Sequence, residues 1–395
     1  MKTYVVGCSV LSPIGHSWSE VTQNMLEGRC GIRKSDIQGL EEYPTHHAAY
    51  TQTENLDETK TRGDALFAEA FSRLKQSIDL TVFPAHRIGL FLGAEPPIAD
   101  IAQNLKHWPS GGCESSSLSG YHSRKIVSQL ALEAGVRGPV LLHLGTCSAA
   151  NQAIAQGKRL VDEGLLDMAI VGGYSSRVDP LSMARLIRVG ALAKTQGHCE
   201  KASVPFSRER NGFTMGEGAV LFAIVRGEHR SRFDKVYGSI VGAGASLDAH
   251  SITDPLPDGT GMALAIKRAI EDSGLCLDSI DYCNAHGTAT PKNDVAETLA
   301  LHKVFGSHAQ NLSVSSTKSA HGHLMSAAGA IETLMTLIAI DRQVVPATLY
   351  LENIDPKCDL DNTPKEPKPR PVRNAINNSF GLGGQNACLV IGGAH

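Results

Sequence analysis

Apolar residues along the chain fall into short blocks that alternate between strand-like and helix-like spacing. Tyr4 to Leu11 is an aliphatic run followed by the turn Ser12-Pro13-Ile14-Gly15, which predicts a first strand. Trp18 to Leu26 and Ala65 to Ile78 carry helical spacing, Ile88 to Leu92 reads as a strand ended by Gly93, and Ser119 to Ala134 reads as another helix. Gly138-Pro139 then opens Val140-Leu141-Leu142-His143-Leu144, whose aliphatic density predicts a buried strand; Asp167 to Gly173 predicts a second, closed by two glycines. A new series starts at Tyr237-Gly238-Ser239-Ile240-Val241-Gly242-Ala243-Gly244, a weak echo of Tyr4-Val5-Val6-Gly7. It continues with a helix at Gly261 to Ser273, a strand at Ile280 to Ala285, a helix at Asp294 to Phe305 and a long apolar helix after Gly322. The expected fold class is α/β, with a parallel or mixed sheet packed between helices in each of two similar halves, residues 1–236 and 237–395.

Within this pattern Cys147 holds a special place. The strand ending at Leu144 is followed by Gly145-Thr146-Cys147-Ser148-Ala149-Ala150-Asn151, and good helix formers continue to Leu160-Val161. A cysteine where a strand turns into a helix faces free backbone N–H groups and the positive end of the helix dipole, which favour the thiolate. That is the geometry of an activated nucleophile with sulfur in place of oxygen. On this stretch alone, an inert small hydrophobe among alanines is the commoner reading.

Length and composition bound the rest. A chain of 395 residues is too long for one simple core. A formal net charge of -3 brings no basic excess, so nucleic acid is not an expected partner. Nine cysteines are scattered singly without a C-x-x-C pair, which indicates free thiols in a reducing compartment, not a disulfide frame or a zinc site. Lys2 followed by Tyr4-Val5-Val6-Gly7-Cys8 is too short for an export signal, and Ala327 to Ile340, interrupted by Glu332, falls short of the ~20 residues of a membrane span. A cytoplasmic protein is expected.

Two loops in the second half carry candidate chemistry. In Ala285-His286-Gly287-Thr288-Ala289-Thr290-Pro291 a histidine leaves a strand end into small residues, and Thr317-Lys318-Ser319-Ala320-His321-Gly322-His323 precedes an alanine-rich helix. A histidine so placed can serve as a general base or as a donor to an oxyanion, although among sixteen histidines any single one taken alone is more often structural or solvated. His321 and His323 have no third ligand at metal spacing, so no metal is expected.

Taken together the motifs resemble those of the elongating β-ketoacyl-acyl carrier protein synthases, decarboxylating condensing enzymes of the thiolase superfamily. They run nearly end to end: Leu11 to Gly15, Thr146 to Ala149, Pro205 to Phe213, Met215 to Gly218, His286 to Thr290, Lys318-Ser319 with Gly322-His323, and Asn378 to Gly384. The resemblance implies a thiolase-like fold of two mixed sheets, one per half, with the active site between them, and a dimer. It implies that Cys147 takes an acyl group from a carrier thioester. His286 and His323 would stabilise the enolate formed as malonyl-carrier loses carbon dioxide, and the backbone N–H groups of Cys147 and Leu382 would form the oxyanion hole. Lys318 and Glu332 match the lysine and glutamate that order the network around the imidazole. A charge at Glu332, inside an apolar stretch, reads as part of that network. Asp294 and Glu297 match acidic positions of the family but read equally well as caps of the following helix, and stand outside the expected catalytic set.

By the same resemblance, substrate contacts would fall to Phe213, Thr288, Thr290, Phe380 and Leu382. Acyl carrier protein is the implied partner, docking on a local basic patch for which Arg62, Arg185 and Arg188 are candidates. No cofactor is implied beyond the phosphopantetheine arm that carries the substrates. The chain departs from the family at Leu382, where phenylalanine is usual, at Gln385, where threonine is usual, at Ser251, and over Glu95 to Ser117. Those departures leave acyl length and starter open. A non-catalytic chain-length partner in a heterodimer is the alternative reading, and such subunits typically lack the nucleophile.

Overall fold

A computed structural model describes residues 2–35, 47–53, 56–57, 60–94, 124–194, 201–363 and 365–394. The expected helix start at Ser119 and the divergent 95–117 segment fall wholly or partly outside these residues.

The first half runs β1 (Thr3–Leu11), α1 (Trp18–Leu26), α2 (Arg62–Ser77), β2 (Ile88–Gly93), α3 (Arg124–Glu133), β3 (Val140–His143), α4 (Ala149–Asp162), β4 (Met168–Ser176), α5 (Pro180–Arg188) and β5 (Met215–Arg226). The second runs β6 (Gly238–Leu247), α6 (Thr260–Ser273), β7 (Tyr282–Asn284), α7 (Pro291–Phe305), β8 (Ser313–Ser315), α8 (Lys318–His321), α9 (Ala328–Arg342), β9 (Asn374–Gly381) and β10 (Gln385–Gly392).

Strand order shows the repeat directly. From the outer edge inward the first half reads β3-β2-β4-β5-β1 and the second β8-β7-β9-β10-β6, which is third, second, fourth, fifth, first in both. The senses agree as well: the three outer strands of each half are mutually parallel and the last two run antiparallel. The two sheets meet where Thr3, Tyr4 and Val5 pair antiparallel with Ile240, Ser239 and Gly238, so that one strand path runs through both halves.

α4 and α9 lie in the core that the halves share. Ala150, Ile154 and Val161 of α4 pack in one apolar cluster with Ile331, Leu334 and Ile338 of α9, together with Val5, Phe222, Leu389 and Ile391 from the sheet. α9 is buried at every position from Ala328 to Ile340, which accounts for its apolar sequence without a membrane. No described helix is long and apolar enough to cross one.

One expectation needs correction. β3 is not a buried strand: it is the outermost of the described strands in its half, and Leu141 and Leu144 are 39% and 58% exposed. Aliphatic density reports that a face needs covering, and it does not say by which chain.

Helix entries differ in a way that bears on the site. α1, α2 and α5 are capped by the side chains of Ser17, Thr61 and Asp179. α4 and α9 have no capping side chain and are entered through a tight turn, Thr146–Ser148 and Met325–Ala327 respectively. The two turns match residue for residue. Gly145 (φ −77°, ψ 25°) corresponds to Leu324 (φ −80°, ψ 21°), and Thr146 and Met325 both take left-handed φ values, 50° and 45°. A left-handed conformation in a non-glycine residue costs energy, and here it occurs at the same place in each half.

Candidate active site

Cys147 is held 4% exposed at the tip of the first turn, just before the first N–H groups of α4. Ser148 locks this turn by donating both its amide and its hydroxyl to the Gly145 carbonyl, at 3.0 and 2.8 Å. The uncapped ends of α4 and α9 belong to matching, neighbouring turns, so two helix dipoles present their positive ends to this region.

His323 comes from the loop before the second turn. Its Nε2 lies 3.1 Å from Cys147 Sγ, and its Nδ1 accepts the backbone N–H of Met325 at 3.1 Å. An Nδ1 that accepts carries no proton, so in the neutral ring the proton sits on Nε2 and points at the sulfur side. Burial, and then the nearby Lys318 charge, hold the His323 imidazole well below its ordinary pKa, which keeps it neutral.

His286 repeats the arrangement from β7. Lys318 Nζ lies 3.2 Å from His286 Nδ1 and donates to the His286 carbonyl at 2.6 Å. An ammonium has only donors, so His286 Nδ1 accepts and its Nε2 also bears the proton. Burial, then Lys318, lowers the pKa of this imidazole too. The two rings meet edge to face at 5.5 Å between centroids. One ligand-type atom each from Cys147, His286 and His323 lies within 4.8 Å of the others. Such a trio has the donor types of a metal site, but both facing nitrogens are N–H donors here and offer a metal no lone pair. His321 faces inward to the Gly322 carbonyl and Thr317 and is not part of the cluster.

Behind His286 lies a buried charge network. Lys318 and Glu332 pair with no access to solvent, and burial pushes the Glu332 carboxyl up to about 7 against the opposing pull of Lys318. Glu297, left out of the expected catalytic set, belongs to the same support. Its carboxylate accepts the amides of His286 at 2.9 Å and Gly287 at 2.8 Å, with Asn378 Nδ2 donating at 3.1 Å. The signal was present in the spacing: Glu297 sits on the apolar stripe of α7 with Ala296, Ala300, Leu301 and Val304, where a helix cap has no reason to be. Asp294 is also buried, accepts the Phe206 amide at 2.8 Å and faces Arg210, which ties the 205–213 segment to α7.

These groups open into a cleft of about 300 Å³ lined by Cys147, Phe213, His286, Thr288, Thr290, His323, Phe380 and Leu382. Every residue expected to catalyse or touch substrate therefore lines this cleft, except Lys318 and Glu332, which stand behind His286. Thr288 and Thr290 share a hydroxyl hydrogen bond of 2.9 Å on one wall. Phe213 packs on His323, and Phe380 on His286. At Leu382 the β9–β10 hairpin turns over the cleft, and Thr146 Oγ1 donates to the Leu382 carbonyl at 3.1 Å. Only glycine fits at 381, because a Cβ there would collide with Thr146 Oγ1 and come within 3.4 Å of the Cys147 nitrogen.

The docking candidates separate. Arg185 and Arg188 are exposed in the last turn of α5, next to Val189 and Gly190 of the cleft rim. Arg62 is engaged elsewhere: it grips the fully buried Glu217, with Nε 2.7 Å from Oε2, and also donates to the Thr51 carbonyl.

Two family models cover most of the chain: the N-terminal domain of beta-ketoacyl synthases over residues 69–229 and the C-terminal domain over residues 237–352. The chain belongs to the β-ketoacyl synthase family. A curated relative, the 3-oxoacyl-[acyl-carrier-protein] synthase 2 of Synechocystis sp., is 34% identical over 98% of this chain and 97% of its own. Among solved structures, the ishigamide ketosynthase/chain length factor superposes with a TM-score of 0.91 at 25% identity, covering 100% of this chain and 99% of that one. A type II polyketide ketosynthase, solved with its acyl-carrier protein and bound to a hexaketide, shares the fold with a TM-score of 0.91 at 24% identity over 100% and 99% of the two chains. The duplicated sheet is thus the ketosynthase fold, and the Cys147 cleft lies at its centre.

Proposed function

We propose that the protein is a 3-oxoacyl-acyl carrier protein synthase, joining an acyl group to malonyl-acyl carrier protein by decarboxylating Claisen condensation, in fatty-acid or type II polyketide synthesis. The observation that carries this reading is the trio itself: one thiol and two imidazole N–H groups that converge from the two halves on one cleft.

In the first step Cys147 sulfur attacks the carbonyl of the acyl-carrier thioester. The C–S bond to the carrier breaks, and the thiol proton ends on the carrier's released phosphopantetheine thiol. The converging ends of α4 and α9 stabilise the thiolate, and the N–H groups of Cys147 and Leu382 receive the oxyanion. Malonyl-carrier then enters, with its thioester oxygen between the Nε2–H groups of His286 and His323. Loss of carbon dioxide leaves the C–C electron pair as an enolate that both donors stabilise. The enolate carbon attacks the acyl-Cys147 carbonyl, and collapse returns the Cys147 thiolate and releases β-ketoacyl-carrier. Lys318 and Glu332 hold His286 in the donor tautomer, and Thr288 and Thr290 line the path of the arm. No cofactor takes part beyond the arm that brings the substrates.

Because nucleophile and both donors are retained, the chain reads as a catalytic subunit and not as a chain-length partner. The outer edge of β3, which pairs with no other described strand and has Leu141 and Leu144 exposed beside it, fits pairing with a second copy or with a homologous chain-length partner. A cytoplasmic location fits the seven described cysteines, none of which is in a disulfide.

The test is product formation. Purified protein incubated with an acyl-carrier and malonyl-carrier should release carbon dioxide and β-ketoacyl-carrier. An intact protein that yields no ketoacyl product with any carrier-bound acyl group, alone or with a homologous partner, overturns the reading.

A further inference from the structure

The Leu382 turn has little rigidity of its own. It closes between Gly381 and Gln385 through two glycines with positive φ, Gly383 at 89° and Gly384 at 75°, and such residues leave the turn free to swing. Its place over Cys147 therefore depends on what ties it down. Gly383 donates to the Ile252 carbonyl at 2.8 Å and Asp248 donates to the Gly384 carbonyl at 2.9 Å, which anchors the turn within its own half. Toward the nucleophile's half, among the described residues, it is tied by the following bonds. One is Thr146 Oγ1 to the Leu382 carbonyl. The other joins Gln152, on the first turn of α4, to Gln385 at the base of the hairpin.

The direction of this second bond is determined by its surroundings. Ser148 Oγ gives its only proton to the Gly145 carbonyl at 2.8 Å, so toward Gln152 it must accept. The Gln152 amide nitrogen donates to it at 3.0 Å and, with its other proton, to Gln385 Oε1 at 3.2 Å. The Gln152 amide also lies flat against Gly145, where a Cβ would come within 2.7 Å of its oxygen. One amide thus touches the residue before the nucleophile turn, the serine that locks that turn, and the first residue of β10, which closes the turn that carries Leu382.

We infer that Gln152 and Gln385 are positioning residues, a clasp between the halves that holds the Leu382 N–H at the distance from Cys147 needed to receive an oxyanion. This rests on the condensing reading above and adds to it a role for Gln385, one of the places where the chain departs from its family. It separates two parts of the chemistry. Acyl transfer and carbon–carbon bond formation pass through tetrahedral oxyanions at Cys147 and need the clasp. Decarboxylation uses the imidazole donors and does not.

Gln385→Met and Gln152→Met keep the side-chain length and remove the bond. Each should lower the condensation kcat by about ten- to a hundredfold, the cost of a small misplacement of a stabilising donor, with KM for both carriers within about twofold of the parent. The double variant should be no worse than Gln152→Met alone, because the bond to Gln385 is already lost there. Gln385→Glu retains the acceptor and should recover most of the rate. In a Cys147→Gln background, carbon dioxide release from malonyl-carrier should be the same with and without Gln385→Met. Condensation by the unaltered enzyme is measured alongside, and its absence would overturn the condensing reading and the clasp with it. If the enzyme condenses but the methionine variants match it, or lose decarboxylation in the same proportion, the clasp is overturned.

Discussion

Lys318 Nζ touches both Nδ1 and the carbonyl oxygen of His286, so one ammonium orients the ring and the backbone of the same residue. Its own countercharge is Glu332, equally buried. Removing Lys318 alone strands that carboxylate and frees the His286 tautomer. Lys318→Ala should destabilise the fold by about 3–5 kcal/mol, and the pair Lys318→Met with Glu332→Gln should recover most of that loss without recovering decarboxylation. Chemical denaturation and carbon dioxide release measured on the same variants check both halves of this expectation.

Cys147 should be the residue that carries the acyl group. Incubation with acyl-carrier followed by peptide mass analysis should place the added mass there, and Cys147→Ser should lower condensation by on the order of a thousandfold or more. Burial holds the thiols of Cys283, Cys358 and Cys388 protonated, raising that of Cys358 to about 12, so a thiolate-directed alkylating agent should spare them.

Glu297 gives a pH signature. Burial raises its carboxyl from an unfolded value of 4.5 to about 7 in the fold. Between those values the folded protein holds a proton that the unfolded chain has released, so this group's contribution to stability is complete below about pH 4.5 and is lost as pH rises through 7. In Glu297→Gln that fall should vanish, leaving a shallower decline from about pH 5 to 7 in urea unfolding free energy. An unchanged slope would remove Glu297 as its source.

Much of this site is legible in the amino-acid sequence alone. A strand, two glycine boundaries and a run of helix formers are local signals, and they place Cys147 at a helix entry. His286 and His323 are placed by motif. What escapes depends on contacts between distant segments. Glu297 has the same letters as a helix cap, and only the approach of the His286 and Gly287 amides distinguishes the roles. Arg62 looks like any basic residue on a helix until Glu217 arrives beneath it from β5. The β3 strand misleads for a related reason, since its leucines anticipate cover that none of the described elements supplies.

Leucine at 382 predicts a permissive cleft. The resemblance implies that a phenylalanine at this place gates the nucleophile's pocket, and a leucine on a turn with two flexible glycines is expected to close it less fully. Leu382→Phe should narrow acyl-chain tolerance, with long or unsaturated chains losing more rate than short ones. If leucine only fills space, the variant should instead lose ~1–3 kcal/mol through overpacking with an unshifted chain-length profile. Condensation across an acyl-carrier series, with Tm alongside, decides between them.

Carrier docking should depend on Arg185 and Arg188, which stand exposed beside the cleft rim while the chain as a whole is slightly acidic. Reversing both charges should raise KM for carrier substrates several-fold at low ionic strength and less at high salt, with kcat little changed. Steady-state kinetics at two salt concentrations provide the check. Unchanged KM at low salt would take this pair out of the interface.

The matching turns at Thr146 and Met325 carry a consequence for how catalysis is distributed along the chain. What the reaction asks of the main chain, a positive electrostatic field at a helix entry, is supplied twice by the same backbone conformation. What it asks of side chains is supplied once each, Cys147 just after one left-handed residue and His323 just before the other. Backbone symmetry and chemical asymmetry are thus superimposed, and the Cys147–His323 contact is the seam between them. A chain divided at that seam would keep half of the fold and none of the reaction, because each copy of the turn holds only one partner of the pair.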